Sequence, residues 1–197
     1  FRLAQRVILG IQRMEKPVIA MINGVAVGAG FDLACACDIR IASPKARFMV
    51  AYVRIGLFPG FGGTWLLPRS LGSMGKAAEL LFTGDMIDGL EAEKIGMINH
   101  AVDEAELDQT VLDFCKRVAQ VPLDMLTVHK HTTNRWFELA GLRTAAYESG
   151  DFDAIAHEAP SIAEWRSIAQ EKGLQHALAW RDEPFGDGWG AKGPPSD

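Results

Sequence analysis

The chain has 197 residues, enough for one domain with a sizeable core, and its 48% hydrophobic and 23% charged content is ordinary for a globular protein. A formal net charge of −5 gives no general basic footprint, which argues against nucleic acid as a partner and leaves anionic small molecules to a local site. No run is long and apolar enough to span a bilayer and no signal-peptide pattern opens the sequence. Three cysteines, an odd number, suit a reducing, cytoplasmic compartment better than a disulfide framework.

Leu3, Val7, Ile11 and Met14 form a helical stripe already under way at Phe1, so the sequence reads as the later part of a longer domain. Residues 17–23 predict a buried strand ending in an Asn23-Gly24 turn. A second short apolar strand follows, and then a glycine-bracketed helix start at Gly28-Ala29-Gly30. Strands are expected over 38–42 and, after the Ser43-Pro44 turn, over 46–50. An irregular glycine-rich segment covers 56–64. Helices are expected over 65–71 and 74–82, split at Gly72 and stopped at Gly84, and over 88–95, ended by Gly96. A strand over 97–102 is the last; from Glu104 to Arg181 the pattern is helical throughout. The expected organisation is therefore an α/β core over 1–103, a helical region over 104–183 and a flexible glycine- and proline-rich tail over 184–197.

The chemistry gathers at the glycine-bracketed helix start. Glycines there let a ligand approach the backbone, and the first turn of a helix offers N–H groups without intrahelical acceptors. Asp32 lies just inside that helix. A donor cluster beside a carboxylate is what enolate chemistry at a carbonyl requires: something to hold the oxyanion and something to move a proton. The plainer role for Asp32 is a first-turn acid favoured by the helix dipole. Cys35 and Cys37 have no second cysteine pair or nearby histidine for a zinc set and read as small core residues. Asp38 reads as a structural acid. His129-Lys130-His131 reads as a solvated or interface segment, because residues two apart on a helix face different ways. Gly60 to Gly63 precede a helix without the Lys-Ser/Thr continuation of a P-loop.

Several of these motifs, in order, resemble the crotonase (enoyl-CoA hydratase/isomerase) superfamily. Lys16-Pro17-Val18-Ile19-Ala20, Asn23-Gly24, Gly28-Ala29-Gly30-Phe31-Asp32-Leu33 and Cys37-Asp38-Ile39-Arg40 resemble its central block. Gly56-Leu57-Phe58-Pro59-Gly60-Phe61-Gly62-Gly63-Thr64 resembles a second block, and Leu81-Phe82-Thr83-Gly84 with Ala92 and Gly96 a third. The resemblance implies a crotonase-like ββα spiral whose helical C-terminal region forms trimers or dimers of trimers. It implies acyl-CoA thioester substrates and no cofactor beyond the coenzyme A they carry. One oxyanion donor would be the Ala29 N–H, beside Gly28, with the other contributed by a region preceding Phe1. The Gly60 N–H would help to place the reacting water or group.

The chain departs from the family pattern at the acids. Two glutamates flank the reacting water in the hydratases; by the motifs they fall on Asp32 and Tyr52. The dienoyl-CoA isomerase branch shares the Asp but carries further acids where this chain has Tyr52 and Gly60. The simple enoyl-CoA isomerases keep one glutamate at the position of Tyr52. A phenol is a poor base at neutral pH, although Arg54, on the same face of an extended strand, would depress its pKa if close. Asp32 as sole base, with Tyr52 positioning substrate or water, is one outcome; loss of hydratase activity is another. Thioester or carbon–carbon hydrolysis, decarboxylation and a non-catalytic acyl-CoA-binding role stay open. A Clp-like serine peptidase is excluded, because the glycine-rich turn carries no serine.

Overall fold

The computed structural model describes residues 2–186. A first helix, α1 (Arg2–Arg13), leads into β1 (Ile19–Ile22), which the Asn23-Gly24 turn joins to β2 (Val25–Val27). Helix α2 (Ala29–Ala36) then returns to β3 (Ile39–Ala42), and Ser43-Pro44 passes the chain to β4 (Arg47–Met49). A 3₁₀ turn (Ala51–Ile55), α3 (Gly63–Leu71), α4 (Met74–Thr83), β5 (Met86–Asp88), α5 (Gly89–Lys94) and β6 (His100–Ala101) complete the mixed half. Helices α6 (Glu104–Val118), α7 (Leu123–Leu139), α8 (Leu142–Ala156), α9 (Pro160–Lys172) and α10 (Leu174–Asp182) follow, with a last 3₁₀ turn at Glu183–Phe185. The expected tail overlaps that turn, and its residues 187–197 lie outside the described ones.

The strands form two three-stranded sheets. One is parallel, in the order β1-β3-β6; in the other, β2-β4-β5, β2 and β4 are parallel and β5 is antiparallel. The pairs β1-β2 and β3-β4 each place one strand in each sheet before helices carry the chain on, a ββα spiral, whereas β5 and β6 are separated by α5. Strand β3 is central, and its Ile41 and Ala42 are fully buried. Strand β1 is at an edge and leaves Met21 exposed, where the sequence predicted a buried strand.

The main core packs Phe31 of α2, Phe48 of β4, and Leu66 and Leu67 of α3 against Leu142 and Ala146 of α8. Helix α8 thus belongs to the same core as the spiral. A smaller cluster of Ile41, Leu107 and Val111 seats α6 on the parallel sheet. Among the described residues no helix is long and apolar enough to cross a membrane.

Three local expectations are corrected. Strand β5 was not expected; its three residues pair with β4 in the register Phe48↔Ile87. A strand that short shows no alternation, so only its tertiary partner defines it. The strand expected over 97–102 shrinks to His100–Ala101, because the N–H groups of Met97 and Ile98 donate to Ala92 O at 2.8 and 3.2 Å and close the turn after α5. Tyr52 and Arg54 lie on a 3₁₀ turn rather than an extended strand.

Candidate functional site

Helix α2 opens on Gly28, whose φ of 56° is left-handed and favours glycine. Gly28 N–H donates to Met49 O at 3.1 Å, fixing the helix start over the end of β4. Ala29 and Gly30 are exposed at the head of the helix, where N–H groups lack intrahelical acceptors. One turn on, Asp32 points inward and has no exposure at all.

The Asp32 carboxylate has unequal oxygens. Oδ2 accepts a 2.9 Å hydrogen bond from the Tyr52 hydroxyl, while Oδ1 is buried without a hydrogen-bond partner. A β-carbon on Gly63, the first residue of α3, would collide with Oδ1, so glycine there makes room for the acid. Burial raises the Asp32 pKa to about 7; the Tyr52 hydrogen bond opposes the shift and the nearby Asp153 charge adds to it. Both protonation states are therefore accessible at neutral pH.

Tyr52 sits beneath the glycine turn, its ring 3.7 Å from where a β-carbon on Gly28 would stand. Burial and the adjacent Asp32 both push its hydroxyl pKa upward, so it stays a neutral donor to the carboxylate. Arg54 does not reach it. Successive residues of a 3₁₀ helix diverge by about 120°, and the Arg54 guanidinium points the other way. It donates to Asp85 Oδ1 at 2.8 Å, Asp182 Oδ1 at 3.3 Å and Thr83 O at 3.0 Å, and it lies over the Phe185 ring.

Of the residues singled out by sequence, Gly28, Ala29, Asp32 and Tyr52 thus meet at one place, and the Gly60 loop borders it. A residue that the sequence reading missed joins them there. Asp153, on α8, accepts a 3.2 Å hydrogen bond from Phe58 N–H on Oδ1. A β-carbon on Gly60 would stand 2.6 Å from its Oδ2. Its signal was a buried acid on an otherwise small helical face, Ala146, Ser149, Gly150 and Asp153.

Other candidates are absorbed structurally. Asp38 Oδ2 accepts from Val18 N–H and from the Lys130 ammonium, each at 2.7 Å. Lys130 also donates to Ile11 O and Lys16 O and is buried, while its neighbours His129 and His131 are exposed. Cys35 belongs to the core, where burial pushes its thiol up to about 12.

A family model described as enoyl-CoA hydratase/isomerase matches residues 4–178. A short-chain-enoyl-CoA hydratase from Clostridium acetobutylicum is 39% identical over 150 residues, covering 76% of this chain and 57% of the relative. A 1,2-epoxyphenylacetyl-CoA isomerase from Escherichia coli is 37% identical over 175 residues, 89% of this chain and 63% of that protein. Among solved structures, an enoyl-CoA hydratase from Mycobacterium smegmatis superposes with a TM-score of 0.86 at 31% identity, over 96% of this chain and 63% of the other. The chain spans about three fifths of the length of these relatives.

Proposed function

The chain belongs to the enoyl-CoA hydratase/isomerase family, and we propose on that footing that it is an acyl-CoA enzyme working through a thioester enolate. Asp32 transfers the proton at the carbon next to the thioester carbonyl, and Ala29 N–H is one donor to the enolate oxygen. Gly28 shapes the turn that presents that N–H, and coenzyme A enters only as part of the substrate. The observation that carries this reading is the Asp32 carboxylate, buried beside an exposed helix start with Oδ1 unpartnered and a pKa raised to about 7. A group poised near the working pH is suited to take a proton and give it back.

In double-bond migration, Asp32 takes a proton from C2 of a 3-enoyl thioester. The C–H electron pair moves into the enolate, and the proton returns at C4. One carboxylate suffices for that sequence. Hydration needs a second group to deprotonate water, and Tyr52, held neutral, does not supply it. Tyr52 in this reading orients Asp32 through the 2.9 Å hydrogen bond. A fixed N–H donor aimed at developing charge contributes about 3 kcal/mol.

The test is turnover of 3-hexenoyl-CoA and crotonyl-CoA by the parent and by Asp32→Asn. Migration or hydration by the parent that collapses in the variant supports the reading. Activity unchanged by the substitution sinks it, as does release of free coenzyme A or CO₂ as the main product.

Assembly as a homotrimer or dimer of trimers, in a cytoplasmic setting, belongs to the same reading. Val128, Trp136 and Leu139 of α7 with Phe152 and Ile155 of α8 are exposed apolar side chains that subunit contacts would cover. Light scattering at micromolar concentration should return the mass of three or six chains; a monomer would contradict it.

A further inference from the structure

The second acid of the site is missing from its expected places in the sequence, where Tyr52 and Gly60 stand. At Gly60 the space is not empty. The Asp153 carboxyl from α8 fills it, with Oδ2, Cβ and Cγ at 2.6, 2.9 and 3.0 Å from the point a β-carbon on residue 60 would occupy. We propose that Asp153 is the second carboxylate of this active site, brought by helix α8 into the place that a side chain at position 60 would take, and that it activates water for addition to a 2-enoyl thioester. This deepens the enolate reading above and rests on it.

Several contacts build the place rather than leave it to chance. Phe58 N–H donates to Asp153 Oδ1 at 3.2 Å, so the loop wraps one oxygen and leaves the other beside Gly60. Gln5 of α1, itself buried, donates to Gly60 O at 3.0 Å and to Ala146 O at 2.7 Å, clamping the loop to α8 two turns before Asp153 on the same helix face. A β-carbon on Gly150 would collide with that Gln5 amide, so the small residues of α8 are what let the loop approach. Asp153 is 4% exposed, and the His157 ring, whose Nδ1 is 2.8 Å from Asp153 O, stands 3.7 Å from its Oδ1. Asp32 Oδ1, buried and unpartnered, is the second polar atom left open in the same neighbourhood.

The step balances with these two groups. A water held at Gly60 gives a proton to the Asp153 carboxylate while its oxygen bonds to C3 of the enoyl thioester. The C2–C3 π pair moves to C2 and into the carbonyl, and the enolate oxygen rests on Ala29 N–H. Asp32 in its acid form then gives its proton to C2. Asp153 ends protonated and Asp32 ionised, and exchange with solvent restores both. No oxidant, reductant or metal is consumed.

Crotonyl-CoA hydration and 3-hexenoyl-CoA migration, measured on one preparation, separate the two acids, because migration uses Asp32 alone. Asp153→Asn should lower hydration by about 100-fold or more and leave migration within about threefold of the parent. The relocated acid, Asp153→Gly combined with Gly60→Asp, removes the crowding at residue 60 and should regain at least tenfold of the lost hydration. That variant also decides the matter if Asp153→Asn does not fold. Hydration untouched by Asp153→Asn, equal loss of both reactions without rescue by the relocated acid, or a parent that migrates double bonds but never hydrates would each overturn the proposal while leaving Asp32 in place. Survival of both reactions in Asp32→Asn, or a parent that performs neither, would instead bring down the enolate reading beneath it.

Discussion

Helix α2 is flanked by two aspartates that the fold treats in opposite ways. Asp32, in its first turn, has no exposure, a single hydrogen bond from a neutral phenol and one oxygen without a partner. Asp38, two residues beyond its last, accepts from a backbone N–H and from a buried ammonium, each at 2.7 Å. A carboxylate whose Oδ2 takes both a backbone N–H and an ammonium ties the chain before β1 and helix α7 to the end of α2. One that is buried and under-supplied holds its charge at a cost, and that cost brings its proton affinity near neutrality. The same residue type at two ends of one short helix is thus tied into the architecture in one case and, in the proposed reading, left for chemistry in the other.

The sharpest way to break this comparison is Asp32→Asn. Turnover should fall by about 10²–10⁴, yet the folded state should gain. The folded pKa of about 7 exceeds the ordinary 3.8, so the native state binds the proton more tightly than the unfolded chain. Stability associated with Asp32 is full below about pH 4 and falls as pH rises towards 7, by roughly 4 kcal/mol. The asparagine variant is relieved of that loss. Urea titrations at pH 4 and pH 7.5 should find the variant the more stable at the higher pH, with the gap closing at the lower. A variant that is equally inactive and less stable at pH 7.5 would place Asp32 with the structural acids.

At the other end of α2, Lys130→Met should do the reverse. It leaves Asp38 without its ammonium, which costs about 3 kcal/mol when a largely buried pair is broken. Migration of 3-hexenoyl-CoA, assayed well below the melting temperature, should stay near the parent rate. A loss of turnover larger than the loss of folded protein would mean that Asp38 is coupled to the site.

Tyr52→Phe sharpens the comparison from within the site. The hydroxyl lowers the Asp32 pKa against the effect of burial, so its loss should move the acidic limb of the pH–rate profile upward by about one unit. Turnover at pH 7 would then drop severalfold and recover at higher pH. A profile that does not move would reduce Tyr52 to packing.

The smallest effect is expected from Asp153→Asn on the same limb. The groups that act on Asp32 are the Tyr52 hydroxyl and the Asp153 charge, with His157, just past the end of α8, beside Asp153. Removing the like charge should shift the limb for migration downward, by less than Tyr52→Phe raises it. An upward shift would mean that Asp153 faces away from Asp32.

These two acids also mark how far the sequence was legible. Asp32 and Ala29 sit in one short run where glycines, helix start and acid follow one another, so their proximity was written locally. Tyr52 was misread in conformation. Ala51 to Ile55 is rich in β-branched and aromatic residues, and only the fold makes it a 3₁₀ turn that sends Arg54 away from it. Asp153 was invisible because it reaches Gly60 through tertiary packing. The helical spacing of Ala146, Ser149, Gly150 and Asp153 announces a small buried face and cannot say which glycine loop it meets. The three residues of β5 and the two of β6 were lost or overdrawn for the same reason: their partners, rather than their own composition, make them strands.

The Arg54 clasp carries a consequence for biosynthesis. Its guanidinium, fully enclosed, meets Asp85 and also Asp182 and the Phe185 ring, near the far end of the described chain. Proteins leave the ribosome N-terminus first, so Asp32 and Tyr52 are synthesised well before the last of the groups that fix the turn between them and α3. Until α10 arrives, the segment bearing Tyr52 has a cation with only part of its surroundings. A nascent chain halted before Leu174 is therefore expected to expose the 51–55 segment to protease, and release of the remaining residues to close it. A later-translated stretch would then fix the surroundings of an earlier-made one.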